Sequence, residues 1–535
     1  MSKNSVKNNK NSSDFAENNA NIDAGVEIDG KKMQNSEVLA ENTTDTGIDK
    51  KLVKSILKEE KRQLKETKKL EKQKKKDRKK KRRQKIKQLI KNKKLEEKQI
   101  RKTQEETIRE LEKRGKFASW FRLDNAASIY PSAVEKDWNF VYRITATFYE
   151  KINPAILQMA VDDIMPRFPS FNVRLCHGFF WNYYERNFSR LKIEREAVFP
   201  CRPFDLENTD GFLIRILYSD HNIMLEVFHG ISDGRGSLYF FNSLIARYLE
   251  RLGEKIENYV GCSSYLDIPS EEEIEDSFFS NATQEKIKRE KEHAAYKIKG
   301  NYMPSGMVNT VEGEMSVSQV KEVAKKFGTS ISVFLSAVVG YVVYKKRKNS
   351  KKPVRISVPI DLRTRFGSST LRNFSSYVNV EVDGDNLSFE DVVNIFKEKL
   401  GNIDKRTLQA NINANVKIQK NFFVKIMPLF LKNIVLKTCF NYLGENYQTL
   451  ALSNIGKVEV PKEFEKHIDS YSINLGRSLH NEKSIGVISF KDKLNMCISS
   501  KLYETETERD IFKILSSFGI DITVYSNRRD LYGTR

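Results

Sequence analysis

The sequence predicts a two-domain α/β protein behind a charged N-terminal extension, and three observations lead there. The chain has 535 residues, more than one ordinary hydrophobic core serves, so two or three units are expected. Its texture breaks near residue 115: aromatic residues are almost absent before it, while Trp120, Trp138, Trp181 and nearly all the Phe and Tyr follow it. From Phe117 onward, strand-like and helix-like segments succeed one another in mixed order, the pattern of an α/β sandwich. The expected divisions are residues 1–50, 51–114, 115–300 and 301–535.

Residues 1–50 hold 6 Lys+Arg against 9 Asp+Glu and are rich in Asn and Ser. Such a segment cannot bury enough apolar surface to offset chain entropy, so disorder is expected. Residues 51–114 carry 29 Lys+Arg against 11 Asp+Glu and contain neither Pro nor Gly. Lys, Glu, Gln, Arg and Leu are good helix formers. Leu57, Leu64 and Leu70 hint at coiled-coil heptads, but the spacing fails from Lys74 to Arg83, so a charged, solvated helix is expected. Of the net charge of +22, this segment supplies +18. Three roles stay open for it. It is an inert solubilising tail, a weak contact with an anionic membrane at about 1 kcal/mol per basic residue, or a nucleic-acid contact. No aromatic residues interleave its charges, so specific nucleic-acid binding is not expected.

In the body, Trp138–Tyr149 reads as a strand. Asn153 caps a helix with Pro154 in its first turn, running to Met165. Phe212–Tyr218 and Ile223–Phe228 form a hairpin over Ser219-Asp220-His221-Asn222. Ser237–Leu252 has helical apolar spacing, and residues 270–300 read as a charged surface linker or helix. Helices are expected over Ser316–Phe327 and Thr329–Tyr344, and strands at Val354–Pro359, Tyr377–Val382, Thr449–Ser453 and Ile485–Phe490.

The five cysteines, Cys176, Cys201, Cys262, Cys439 and Cys497, are odd in number and lack Cys-x-x-Cys spacing. That argues against a disulfide framework and a zinc site, and fits a reducing compartment. No apolar leader follows Met1, and the best apolar run, Ile331–Tyr344, is too short for a spanning helix. A cytoplasmic protein, at most peripheral to a membrane, is the expectation.

The most informative residues are Val227-Phe228-His229-Gly230-Ile231-Ser232-Asp233-Gly234. The chain has only 6 histidines, and a chance His-x-x-x-Asp-Gly is expected roughly 0.02 times in such a composition, so the motif carries weight. The strand Ile223–Phe228, apolar but for Glu226, delivers an imidazole to its end, where it can serve as a general base near neutral pH. Asp233-Gly234 is expected to make a tight turn, with Gly234 in a backbone conformation that a Cβ would forbid. A histidine merely closing a strand beside such a turn is the plain alternative.

This motif resembles the His-x-x-x-Asp-Gly signature of the CoA-dependent acyltransferase superfamily, which includes chloramphenicol acetyltransferase, carnitine acyltransferases and condensation domains. The alcohol acetyltransferase branch is the nearest in pattern. Further blocks follow in the family's order: Pro203-Phe204-Asp205-Leu206, Gly328-Thr329-Ser330-Ile331, Asp361-Leu362-Arg363-Thr364-Arg365 with Asn373-Phe374, and Leu452-Ser453-Asn454-Ile455-Gly456. The first histidine of the doubled form is replaced by Phe228. The Asp-Phe-Gly-Trp-Gly of the plant enzymes survives at Ser472–Gly476 only as a glycine. Nothing in the family matches residues 1–114.

The resemblance implies two chloramphenicol-acetyltransferase-like domains forming a pseudo-dimer with an active-site channel between them. It implies acyl transfer, with acetyl the expected group, from acyl-CoA (acetyl-CoA) as co-substrate to a small-molecule alcohol, without a metal. His229 is then the base and Ser453 the donor to the oxyanion. Asp233, Gly234, Arg363 and Asn373 are structural residues at the site, with Arg363 the partner of Asp233. Arg365 is placed with them or near the acyl donor. His177, His221, His293, His467 and His480 have no supporting context. The apolar and cationic segment Asn415–Leu443 reads as a channel wall or as an interfacial segment. Two rivals stay open: the same chemistry on a carrier-protein thioester, and a non-catalytic acyltransferase fold anchored by its basic tail.

Overall fold

The computed structural model describes residues 50–113, 120–133, 140–196, 199–285, 292–347, 350–401, 403–439, 445–478 and 481–527. Lys50–Lys113 is one helix of 64 residues. Leu52, Ile56 and Leu70 on it are all more than half exposed, and its surface carries i,i+4 pairs such as Arg62–Glu66 and Lys102–Glu106 at 3.7 Å. Pairs of this kind contribute only about 0.2–0.5 kcal/mol each. The disorder expected of residues 1–50 falls outside the described residues but for Lys50.

Fifteen strands are described in the body: β1 (Trp120–Arg122), β2 (Val141–Phe148), β3 (Val173–His177), β4 (Asn182–Arg186), β5 (Glu194–Arg195), β6 (Ile214–Tyr218), β7 (Asn222–Phe228), β8 (Asn309–Ser316), β9 (Val354–Asp361), β10 (Ser375–Val382), β11 (Leu450–Lys457), β12 (Ile468–Leu475), β13 (Lys483–Phe490), β14 (Lys493–Ser500) and β15 (Ile522–Ser526). They form a five-stranded sheet ordered β12-β2-β7-β6-β5, a seven-stranded sheet ordered β10-β9-β11-β13-β14-β8-β15, and a small sheet β1-β4-β3. The result is a mixed α/β fold of two lobes, each a sheet with its own core, as the fold class expected of the sequence requires.

The first core gathers Ile144, Leu225 and Val227 beneath Phe240, Phe241 and Leu244 of the helix Gly234–Leu252. The second is built on the helix Ile331–Lys346, whose Phe334, Leu335, Val338, Val339 and Val342 are all buried. That helix is apolar all round because neighbours cover it on every side, the condition for a core helix. Helix starts carry the caps that the sequence displays. Asn153 Oδ1 accepts from Ala155 and Ile156 N–H ahead of the helix Pro154–Ile164, and Ser316 and Ser330 cap Val317–Lys326 and Ile331–Lys346.

The lobes exchange chain. β12 crosses from the C-terminal half to pair antiparallel with β2, Ile473 facing Ile144. A bulge in β11 between Asn454 and Gly456 takes Ile455 out of the second core, where Leu450 and Leu452 sit, and into the first. Bulges end regular pairing and re-aim side chains, and this one does so beside the functional site.

Glu226, the one charged residue in β7, is fully buried. It lies between two guanidiniums, 2.8 Å from Arg143 and 2.5 Å from Arg215, and accepts from Cys201 N–H at 2.6 Å. Burial disfavours its charge, but the two arginines outweigh that and hold its pKa below the ordinary carboxylate value.

Two expectations are corrected. Asp233-Gly234 is not a free tight turn: Asp233 is the N-cap of the helix Gly234–Leu252, which begins three residues before the expected Ser237. Gly234 has no positive φ; what excludes a side chain is space, since a Cβ would meet Ile455 Cδ1 at 2.4 Å. The described parts of 270–300, expected to be a linker or helix, are mostly irregular chain with one short helix, Ser277–Ser280, and need no correction. The strand expected from Trp138 is β2, which begins at Val141; Trp138 itself lies outside the described residues.

Candidate active site

β7, an interior strand, ends at Phe228, so His229 is delivered to the strand's C-terminal end, where its N–H donates to Phe140 O at 2.8 Å. The imidazole lies between two tyrosines, with ring centroids 5.1 Å from Tyr130 and 5.2 Å from Tyr142. Tyr142 is held in turn by its hydroxyl, 2.7 Å from Ser237 Oγ and 3.0 Å from Ser232 O.

The other lobe meets this imidazole through Asn373, whose Oδ1 is 3.0 Å from His229 Nδ1. The amide has one orientation that satisfies its surroundings. Its Nδ2 faces Gly230 O at 3.4 Å and Asp124 Oδ2 at 3.1 Å. A carbonyl can only accept, so the nitrogen belongs on that side and the oxygen faces the histidine. Neutral His229 therefore carries its proton on Nδ1 and keeps a lone pair on Nε2, for which the described residues supply no partner. Asp124 is fully buried, accepts from Ala127 N–H at 2.7 Å, and lies 3.7 Å from Arg372. Burial raises its pKa although Arg372 opposes this. Its neighbour Asp276 is pushed up to about 7 by burial and then by the Asp124 charge.

Asp233 spends its oxygens on Arg363 and two backbone N–H groups and so fastens the lobes together. Its two oxygens meet Arg363 Nη2 and Nη1 at 2.9 Å each, and accept from Gly236 and Phe374 N–H at 3.1 and 2.9 Å. Arg363 also donates to Thr370 O, Arg372 O and Asp361 Oδ1. All five guanidinium N–H groups are thereby used, the condition under which a buried charge pair is tolerated. Burial works against the Asp233 carboxylate, but Arg363 and the backbone donors outweigh it and hold the pKa below the usual value. Arg365 stands apart: it is exposed and donates to Ile403 O at 3.3 Å.

His229, Asp233, Gly234, Arg363, Asn373 and Ser453 all line one cavity of about 1280 Å³, a volume above the usual range for small-molecule sites. The two lobes both contribute walls, Tyr130 and Tyr142 from one, Ser357 and Tyr377 from the other. Ser453 lies on β11 just before the bulge, and its hydroxyl has no partner among the described residues. Segment Asn415–Leu443 also borders the cavity, through Val424, Met427, Leu429 and Leu436. His177, His221, His293 and His467 do not line it; His480 lies outside the described residues. Among the described residues no His, Cys, Asp and Glu cluster suits a metal ion.

Sequence reasoning missed Asp124, Tyr130, Tyr142 and Asp276, and placed Asn373 only as a structural residue. Asp124 and Asp276 lie in loops and carry no periodicity or motif spacing; only long-range contacts bring them together. Tyr142 had a faint signal, being two residues from Phe140 at the start of the strand that flanks β7.

No family model matches the sequence, and no curated protein matches it. Solved structures do. Polyketide synthase associated protein 5 from Mycobacterium tuberculosis is 13% identical, over 74% of this chain and 96% of that chain, with a TM-score of 0.48. TRI3 trichothecene 15-O-acetyltransferase from Fusarium sporotrichioides is 14% identical, over 75% and 95%, with a TM-score of 0.47. The condensation domain of the Monacolin K polyketide synthase MokA is 10% identical, over 75% and 96%, also at 0.47. By name, the second is an acetyltransferase and the third a condensation domain.

Proposed function

We propose that the protein is a CoA-dependent O-acyltransferase that moves an acyl group, acetyl as the expected one, to an alcohol hydroxyl, with His229 as general base. The observation that carries this reading is the state of the imidazole: Nδ1 is engaged by Asn373, and Nε2 is left as an acceptor on a large cavity between two lobes. An alcohol is a weak nucleophile at neutral pH. His229 Nε2 takes its proton as the oxygen attacks the thioester carbonyl, and the imidazolium returns that proton to the departing thiolate. No covalent intermediate on the enzyme is required. Ser453 donates to the oxygen that becomes negative, a contribution of about 3–4 kcal/mol when well placed. The cavity suits a CoA thioester in charge as well as size. Arg235 lies on its wall, half exposed and only loosely paired at 4.0 Å with Asp361, and exposed Arg122 lines it too.

The test is thiol release from acetyl-CoA with a panel of alcohols, comparing wild type with His229→Ala. Alcohol-dependent release that falls by about 10²–10⁴ in the variant, the share of a general base, supports the proposal. Equal release from both proteins would overturn the role of His229. No release from any acyl-CoA, but turnover with a carrier-protein thioester, would change the donor; none with either would leave a binding fold.

A further inference from the structure

The segment that walls the cavity has a second face. Over 405–444 the sequence contains no Asp or Glu, while Lys417, Lys420, Lys425 and Lys437 are spread along it. The helix Phe422–Ile426 is joined to the helix Leu429–Cys439 by Met427-Pro428. On these, Phe422, Phe423 and Phe430 are 67%, 73% and 64% exposed, and Ile434 is 60% exposed. Soluble surfaces scatter single apolar residues but seldom present several large ones together.

A second element adds to this face. The β3–β4 hairpin carries Phe179 and Phe180 at its tip, and Phe179 is 72% exposed. This tip is bonded to the helix: Leu429 N–H donates to Phe179 O and Lys432 Nζ to Phe180 O, both at 2.8 Å. Lys432 is otherwise buried against the Trp181 ring at 3.3 Å. A lysine used to fix the hairpin, with aromatic residues left bare on both sides, is a built arrangement rather than a loose loop.

We infer that this face is a bilayer-docking surface whose occupant is an anionic phospholipid membrane. Exposed phenylalanines interspersed along the chain with exposed lysines, in a stretch (405–444) without an acidic residue, match an interfacial segment that buries its apolar side at the acyl boundary and meets anionic headgroups with its charges. A protein partner would demand complementary acids for the lysines and a flat apolar contact; a bilayer supplies both charge and apolar depth without fixed geometry. Among the described residues no single helix is long and apolar enough to cross a membrane, so the contact lies on the surface. Because the same segment lines the cavity through Val424, Met427 and Leu429, the bilayer lies against the cavity wall. Delivery of an apolar acceptor from the bilayer rests on the acyl-transfer reading; the docking does not.

The experiment is vesicle co-flotation of the full chain, with phosphatidylcholine alone and with about one third phosphatidylglycerol, in low salt and in about 0.5 M salt, where exposed charges are largely screened. The basic helix Lys50–Lys113 also attracts anionic vesicles, but that part is salt-sensitive. Wild type is expected to keep a salt-resistant fraction that Phe422→Ser/Phe423→Ser/Phe430→Ser weakens at least about tenfold, with an unchanged melting temperature. A variant that partitions like wild type in high salt overturns the inference, as does a wild type that never floats. Self-association in lipid-free buffer that the triple variant abolishes would overturn it in favour of a second copy.

Discussion

Asn373 Oδ1 lies 3.0 Å from His229 Nδ1, and the two residues belong to different lobes. If His229 is the base proposed above, the proton that selects its reactive nitrogen is held by a group that is in place only when the lobes are assembled. Asn373→Ala is expected to lower kcat about a hundredfold with little change in KM, the cost of a misaligned reacting group. Nitrogen chemical shifts of labelled His229 provide a readout that a merely structural role would not move. Wild type should show the Nδ1–H tautomer and the variant a mixture. An unchanged tautomer with normal kcat would remove Asn373 from the mechanism.

For the proposed oxyanion donor, Ser453→Ala would separate transition-state stabilisation from folding. Its hydroxyl has no protein partner among the described residues, so its loss should leave the melting temperature in place. A donor to a developing oxyanion, by contrast, accounts for about 10²–10³ in kcat. Full activity in Ser453→Ala would require the oxyanion donor to be sought elsewhere on the cavity wall.

The Asp233–Arg363 pair should behave as a lock. Removing one partner leaves a buried charge uncompensated, so Asp233→Ala is expected to cost about 3–5 kcal/mol in denaturant unfolding. The pH dependence has a definite sign. The folded-state pKa of Asp233 is below the unfolded value of 3.8, so the folded chain holds on to the charged form. The pair's stabilisation is complete above the unfolded pKa and is lost as pH falls through the folded one. The stability gap between wild type and Asp233→Ala should thus be constant near neutrality and narrow in acid below about pH 4. A gap that narrowed toward alkaline pH would contradict this assignment.

Much of the local structure is legible in the chain because its signals are local. Asn153 before Pro154 marks a helix start through a cap that acts within three residues, and the helices expected from Ser316 and Thr329 begin within two residues of those points, at Val317 and Ile331. The β6–β7 hairpin is legible for the same reason. What the sequence hides is distant pairing. β12 docks on β2 across more than three hundred residues, and nothing in Ile468–Leu475 names its partner. Among the candidate site residues, the Asp233–Arg363 contact follows from the resemblance. The Asn373–His229 contact and the Asp124 beneath it do not, because they depend on how two lobes meet. Gly234 shows the opposite error, where a correct sense that no side chain fits was attached to backbone conformation instead of space.

Two glycines two residues apart make that distinction measurable. At Gly234 a Cβ would meet Ile455 Cδ1 at 2.4 Å, the free end of a flexible side chain. At Gly236 it would meet Leu371 O at 2.1 Å and Ser232 Oγ at 2.5 Å. Ser232 Oγ already donates to that same carbonyl at 2.6 Å, so neither atom can withdraw without losing a buried hydrogen bond. Gly234→Ala should therefore cost about 1 kcal/mol, as Ile455 shifts rotamer, while Gly236→Ala should reach about 3 kcal/mol or more, the upper range for overpacking. Because Leu371 sits two residues before Asn373, the second variant should also perturb the His229 contact and lower kcat in the fraction that remains folded. Equal, small costs at both positions would mean that the lobes yield at this seam, and the close approach of Gly236 to Leu371 would then not be what sets the distance between them.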